Sequence, residues 1–463
     1  MMNVRKFNRT SLIGLIVAIV MFFSAPFATL VHADAAGGVI NVKDLGAKGD
    51  GKTDDTAVVQ QALDRAANQG ASVYFPKGTY LVDPGKTLIV ESRTKIVGDG
   101  TGSVIQASGS KFGWEMMRAT GSNIEINSIV LDGNMAVNRV LAIGGGSSAI
   151  KVSKAIVSNA SHSKDPGNDF HEGVVSGIII YGNSSNIEID SVEVKNINAV
   201  NLTSGSLISR GIYVTTTWGS KESAAAKVSI TNSYIHHIGP ADDGDGIYYE
   251  DPNLDNNKGK DTGSFIVNNR FDHNAKRAIK LYAQGITVKD NKITNSFLKN
   301  NYYAGKEKGK LAPDMFAGIS VYGSNNVIEN NTIGGVGSYY AAIEVSAEQT
   351  VNNVTVKGNK IVMGASSSTQ GTTAIRLGNT KDFHISGNTI ENAEKGIWTW
   401  QNAEKGSIEN NVIQTTKGGI DLTTYLDNCT QKDIVVQNNK VTGDSFNIQL
   451  AKSNVNVKVI GKN

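Results

Sequence analysis

Two short segments hold the densest run of titratable side chains. One is Asp242-Asp243-Gly244-Asp245-Gly246-Ile247-Tyr248-Tyr249-Glu250-Asp251, and the other is Lys276-Arg277-Ala278-Ile279-Lys280-Leu281-Tyr282. Acids, phenols and cations packed together shift one another's protonation, which makes them candidates for proton transfer. A plainer reading stands beside this one: Asp-Gly pairs make a turn, and the charges form a solvated ladder.

Positioning such groups requires a scaffold, and one short pattern recurs from residue 149 to the C-terminus: small residue, Ile, any residue, apolar. It occurs eleven times, among them Gly211-Ile212-Tyr213-Val214, Gly246-Ile247-Tyr248-Tyr249, Ala278-Ile279-Lys280-Leu281, Gly318-Ile319-Ser320-Val321 and Ala374-Ile375-Arg376-Leu377. The first copy is Ala149-Ile150-Lys151-Val152. The shortest spacings between copies are 22 to 24 residues, and longer ones carry insertions. A second signature precedes many copies, as in Asn268-Asn269-Arg270-Phe271 and Asn330-Asn331-Thr332-Ile333. Asn tolerates the left-handed conformation, so these pairs read as corners between strands. Units of this size with two or three short strands and inward Ile or Val describe the rungs of a parallel β-helix, an all-β solenoid. One amphipathic helix, about Asp54 to Asn68, carries Val58, Ala62 and Ala66 on a stripe with Val59 and Leu63 beside it; Thr53 and Asp54 are its expected cap. It is expected to close the open end of the stack.

Strand alternation turns the residue after each Ile outward. Stacked rungs then form a column running Lys151, Ile179, Tyr213, Tyr248, Lys280, Ser320, Glu344, Arg376, Trp398, Asp421, Gln449. A second column two residues further on holds Glu250, Tyr282, Tyr322 and Trp400. If the copies register, Tyr248 lies beside Lys280, Glu250 beside Tyr282, and Asp245 next to Arg277. Aromatic faces suit sugar rings, and Arg or Lys suits sugar carboxylates. The expected binding strip is therefore Arg210, Tyr213, Tyr282, Tyr322, Glu344, Arg376, Trp398 and Trp400. Sheet faces also enrich Tyr and Trp with no ligand in view.

The segment Gly46-Ala-Lys-Gly-Asp-Gly-Lys-Thr-Asp-Asp-Thr56, with Gln61-Ala62-Leu63 and Val73-Tyr-Phe-Pro-Lys-Gly-Thr-Tyr80, resembles the opening of the pectate-lyase/polygalacturonase-like right-handed β-helix superfamily. That superfamily includes rhamnogalacturonases, epimerase-like proteins and phage tailspikes. The resemblance is specific over about residues 39 to 82, and the coil pattern extends a weaker similarity onward. It implies right-handed coiling and a carbohydrate polymer as substrate, and it leaves the reaction open. Polygalacturonases carry Asn-Thr-Asp, Asp-Asp, Gly-His-Gly and Arg-Ile-Lys. Here Asp243-Gly244-Asp245 stands in a place like the first, and Arg277-Ala278-Ile279-Lys280 is similar to the last but one residue longer. The Asp-Asp rung and Gly-His-Gly are missing, which disfavours that hydrolase. β-Helix lyases resemble one another in using Lys or Arg as base. On that likeness Lys280 is the expected base, Arg277 or Arg210 neutralises a uronate carboxylate, and Tyr248 or Tyr282 is the acid. A hydrolase would instead use two of Asp242, Asp243, Asp245 and Glu250. The same acids are a possible Ca²⁺ site. A noncatalytic carbohydrate-binding solenoid would use the strip alone.

Two insertions flank this region: Ser153 to Ser176, with His162 and His171, and Phe297 to Phe316, with Tyr302, Tyr303 and three lysines. Both are expected walls of a groove. His236-His237, just before the acidic turn, reads as structural more readily than as part of the site.

Composition bounds the rest. The chain has 463 residues, 45 Lys+Arg and 42 Asp+Glu, for a formal charge of +3. Residues 1–33 hold Arg5, Lys6 and Arg9, no acid, and an apolar run from Leu12 to Phe23. They read as a signal peptide, and cutting after Ala33 leaves a neutral chain. The basic excess thus gives no support to a nucleic-acid partner. A single Cys429 excludes an internal disulfide framework. The expectation is a secreted, extracellular bacterial protein with no membrane partner after cleavage. It is expected to be a monomer, with residues 34–463 as one β-helix domain, its cap at about 39–82 and its coils at about 100–463.

Overall fold

The computed structural model describes residues 37–171, 173–199, 208–239, 243–256, 258–296, 317–334, 341–346, 349–363 and 373–461. The signal-peptide segment, Asp242 and the Phe297 to Phe316 insertion lie outside them. Every strand pairing described is parallel, in sheets of fifteen and twenty-five strands. The smaller runs from Val39–Asn41 to Lys458–Ile460. The larger consists of two rows, which join where the long strands Thr389–Thr399 and Val412–Leu422 pass through both. The solenoid therefore has three faces around one apolar column.

That column is the repeated Ile. Ile212, Ile247, Ile279, Ile319, Ile343, Ile375, Ile397 and Ile420 stand in register across successive rungs, each fully buried. Each contributes roughly 1.5–3 kcal/mol by leaving water. The small residue before it is a steric requirement. A Cβ at Gly211 would meet the Gly246 carbonyl at 2.4 Å, and one at Gly246 would meet the Ala278 carbonyl at 2.6 Å.

The Asn pairs divide their work. The first position takes the left-handed corner, at φ 55–65° for Asn268, Asp290, Asn330, Gly358, Gly387, Asn410 and Asn438. The second turns inward. Asn269, Asn291, Asn331, Asn359, Asn388, Asn411 and Asn439 form a buried ladder, each Nδ2 donating to the next Oδ1 at 2.9–3.0 Å. Asn359→Ala would orphan the Ile328 carbonyl and the Asn331 amide groups that Asn359 now satisfies. We expect a loss of about 2–4 kcal/mol in urea unfolding, from the several buried groups left unpaired.

The helix spans Thr56–Gln69 and buries Val59, Ala62, Leu63, Ala66 and Ala67. It starts two residues later than expected because both acids are used before it. Asp54 accepts from the Thr56 amide at 2.9 Å, and Asp55 accepts from the amides of Lys48 and Gly49 at 2.7 and 2.9 Å. Its capping role has a direct signature. Gln60 pairs its side-chain amide with both backbone groups of Ile89, at 3.0 and 2.9 Å, satisfying a strand at the end of the stack.

One copy of the pattern is misplaced by sequence. Ser148–Ser153, with Lys151, belongs to the fifteen-stranded sheet, where Lys151 pairs with Glu188. Its place in the outward column is taken by Ala142, opposite Ile179. Alternation alone cannot say which of three faces a strand occupies.

Candidate functional site

The site lies on one row of the larger sheet. Its strands, in chain order, are Val137–Ile143 (β1), Val174–Ile180 (β2), Ile208–Val214 (β3), Asp243–Glu250 (β4), Ile279–Tyr282 (β5), Ala317–Val321 (β6), Ala341–Val345 (β7), Thr373–Leu377 (β8) and Thr389–Thr399 (β9). Register runs Ile179, Tyr213, Tyr248, Lys280, Ser320, Glu344, Arg376, Trp398. Glu250 stands opposite Tyr282.

The outward side chains form two clusters. In the first, the Tyr213 and Tyr248 rings stack at 5.3 Å, and Lys280 Nζ lies 4.3 Å from the Tyr248 ring centroid. Glu250 accepts three hydroxyl hydrogen bonds, from Tyr213 at 2.5 Å, Thr215 at 2.6 Å and Tyr248 at 3.1 Å. The Tyr282 hydroxyl donates to Asp255 and accepts from Gln349 Nε2. In the second cluster, three rungs on, Arg376 Cζ lies 4.0 Å from the Trp400 ring and 5.7 Å from the Trp398 ring. It pairs with buried Glu344 at 3.5 Å, and Tyr322 donates to that same carboxylate at 3.2 Å. Trp398 donates to the Thr423 carbonyl.

A buried layer supports the first cluster. Asp245 is fully buried between Arg210 at 3.3 Å and Arg277 at 3.4 Å. Arg277 also donates to Ser320 Oγ at 3.1 Å. Arg277 and Arg210, both given a role toward a sugar carboxylate, are almost wholly buried. Arg210 instead lies 4.7 Å from the Tyr248 ring and holds positive charge behind it. Asp245 is enclosed by the two guanidiniums and has no exposed surface toward the groove. Asp243 opens β4 opposite Ile208, and its side chain lies outside the described residues. Among the described residues no three His, Cys, Asp or Glu side chains come together as a metal site. The Asp245 and Glu250 of the expected Ca²⁺ site are committed elsewhere, to guanidiniums and to hydroxyls.

Beside the first cluster lies a groove of about 760 Å³, lined by Arg139, Tyr181, Tyr213, Glu250 and Tyr282, with Thr215–Ser220 and Pro252 as walls; Tyr248 and Lys280 lie outside its lining. Trp218, at the tip of that loop, is fully exposed. The Ser153 to Ser176 insertion brings Phe170 against Trp114 at 4.9 Å. Its histidines hold the loop: His162 bonds the Gly173 carbonyl and His171 the Ser163 carbonyl. His236 bonds Glu193 on the other row. Sequence reading missed Arg139, Tyr181 and Thr215. β1 lacks the small-Ile signature, and its alternating Leu141-Ala142-Ile143 was the available signal.

Burial, and then the Glu250 carboxylate, raise the Tyr213 phenol well above its ordinary range. Tyr322 is raised by burial and then by Glu344. Tyr282 is pushed up to about 12 by burial and then by its hydrogen bond to Asp255. These hydroxyls stay protonated at neutral pH. Because the folded state holds these protons more tightly, the associated stability is complete below about pH 10, the ordinary phenol value. It is lost as pH rises towards the Tyr282 value of about 12. Thermal melts should show a plateau to about pH 10 and a fall above it, blunted in a Tyr213→Phe/Tyr282→Phe double variant.

Residues 39–305 match the family described as rhamnogalacturonase A/epimerase, pectate lyase-like. The chain belongs to this family. Residues 310–463 match a right-handed β-helix region. Among the relatives of this pectate lyase-like protein, alginate lyase 7 of Azotobacter vinelandii is 49% identical over 71 residues, 14% of this chain and 8% of that protein. Mannuronan C5-epimerase AlgE3 of the same organism is 39% identical over 109 residues, 20% of this chain and 6% of that protein. The chain thus spans less than a tenth of the length of either. Among solved structures, the A-module of the Azotobacter vinelandii mannuronan C-5 epimerase AlgE6 shares the fold at TM-score 0.54 and 18% identity. It covers 91% of this chain and 100% of its own. The Streptococcus pneumoniae surface adhesin PfbA shares the fold at 0.56 and 18% identity, over 90% and 93%. An E. coli bacteriophage HK620 tailspike in complex with a pentasaccharide does so at 0.58 and 12% identity, over 91% and 80%.

Proposed function

We propose that this protein is an exported bacterial enzyme that cleaves an acidic, uronate-containing polysaccharide by β-elimination. The observation that carries the reading is the placement of Lys280 Nζ against the Tyr248 ring, on the rung next to Glu250 and its three hydroxyl donors. Lys280 takes the C5 proton, the C5–H electrons form the C4=C5 double bond, and the C4–O bond breaks. The leaving oxygen receives a proton from Tyr248 or Tyr282. Glu250 holds the hydroxyls of Tyr213 and Tyr248, and the Tyr248 proton turns from Glu250 to the leaving oxygen as charge develops there. Arg210, behind the Tyr248 ring, adds positive potential where the uronate carboxylate gains electron density.

Support also comes from the relatives, one a lyase and others C5-epimerases. Elimination and inversion at C5 of a uronate begin with the same proton removal. For the hydrolase alternative, the enclosure of Asp245 by two arginines leaves the carboxylate roles to Glu250, Asp242 and Asp243. Incubation with uronate polymers, with and without chelator, tests the proposal. Shortened chains bearing ultraviolet-absorbing unsaturated ends are expected. Inverted but uncut chains would make the protein an epimerase, hydrated ends a hydrolase, and binding without change a noncatalytic module.

A further inference from the structure

At the end away from Tyr282 the groove is lined by Arg139 and Tyr181, which belong to a third charged cluster that the elimination leaves unused. Glu115 is almost fully buried, its side chain 5% exposed. It accepts from Arg118 Nε and Nη2 at 2.7 and 2.8 Å, from Arg139 Nη1 at 3.2 Å and from the Tyr181 hydroxyl at 3.3 Å. Arg139 also donates to the Tyr181 hydroxyl at 2.7 Å. One carboxylate therefore serves two guanidiniums, and the cluster keeps one net positive charge. Arg118 and Arg139 remain 36% and 21% exposed, so that charge is offered to solvent. Arg139 Cζ lies 5.5 Å from the ring of Trp114, which is 42% exposed.

Stability alone gives weak reason for this arrangement, since partly buried ion pairs gain little over apolar packing. Recognition gives a better one, because a fixed guanidinium fork matches a carboxylate and an exposed indole matches a sugar face. From Tyr181 through Thr215 and Glu250 to Tyr282 the outward row climbs three rungs, about 14 Å at the usual strand spacing.

We infer that Arg139, Tyr181 and Trp114 form a distal subsite that binds the carboxylate and ring of a second uronate unit, so that the preferred ligand is an oligouronate long enough to span the groove. This rests on the uronate reading above and adds a length and charge requirement to it. The test is calorimetric binding to Lys280→Ala protein, using a uronate disaccharide, a long oligouronate and a neutral oligosaccharide of equal length. Arg139→Gln should weaken the long acidic ligand by about tenfold or more, a factor worth one substantial contact, flatten its salt dependence and leave the disaccharide unchanged. Equal affinity of the long ligand for both proteins overturns the subsite. If Arg139→Gln unfolds, Trp114→Ala, at an exposed ring, should give the same length-specific loss, and its failure to do so is equally decisive. The two readings fail separately. Cleavage by Lys280→Ala removes the assigned base and leaves the subsite to its binding data, whereas equal binding of neutral and acidic oligomers removes both.

Discussion

Replacing Asp245 by alanine is expected to cost about 3–5 kcal/mol of folding stability, the range for breaking a buried ion pair from one side. The carboxylate is fully buried and shared by Arg210 at 3.3 Å and Arg277 at 3.4 Å, neither of which is more than 2% exposed. Removing it takes away the carboxylate that both buried guanidiniums share. Asp245→Asn retains the shape and one acceptor and should fall between wild type and alanine. Urea midpoints with unchanged slopes would measure this as stability alone. A change below about 1 kcal/mol would mean that water reaches the layer and that the pairing behaves like a surface one.

Lys280→Ala is expected to lower turnover of a uronate polymer by about 10²–10⁴-fold, the usual contribution of a positioned general base. Its effect on the fold should be small, because Lys280 is only half-buried and its apolar neighbours Ile279 and Leu281 face the core. A variant with full turnover would transfer the proton abstraction to another group. The Tyr213→Phe and Tyr248→Phe variants then become the informative pair, because they separate a base from the hydroxyls that Glu250 holds.

The outward order from Ile179 to Gln449 was legible because the Ile tetrads repeat with a small residue before each, and that small residue is enforced by backbone 2.4–2.6 Å away at Gly211 and Gly246. The pairing of Tyr248 with Lys280 and of Glu250 with Tyr282 followed from the same register. Three things were not legible. Whether a strand belongs to one face or another is decided by corner geometry, so Lys151 was assigned to the wrong sheet. Alternation says that a side chain leaves the core, yet it does not say whether neighbours then cover it. Arg210 and Arg277, given a carboxylate-neutralising role by the likeness to β-helix lyases, are covered in this way, beneath the Tyr213 and Tyr248 rings or beside Ser320. The Glu115, Arg118 and Arg139 cluster joins residues from two strands without the tetrad signature, and only folding brings them to Tyr181.

The buried Asp245 and its two arginines lie on the same strands as the outward Tyr and Lys side chains. Carrying out the reaction with a polyuronate in deuterated water, followed by NMR, tests the elimination most directly. The account predicts shortened chains with a C4=C5 double bond at the new ends, formed at a rate that collapses in Lys280→Ala. Uncut chains whose C5 positions keep their protons, or cut chains with saturated ends, would contradict it.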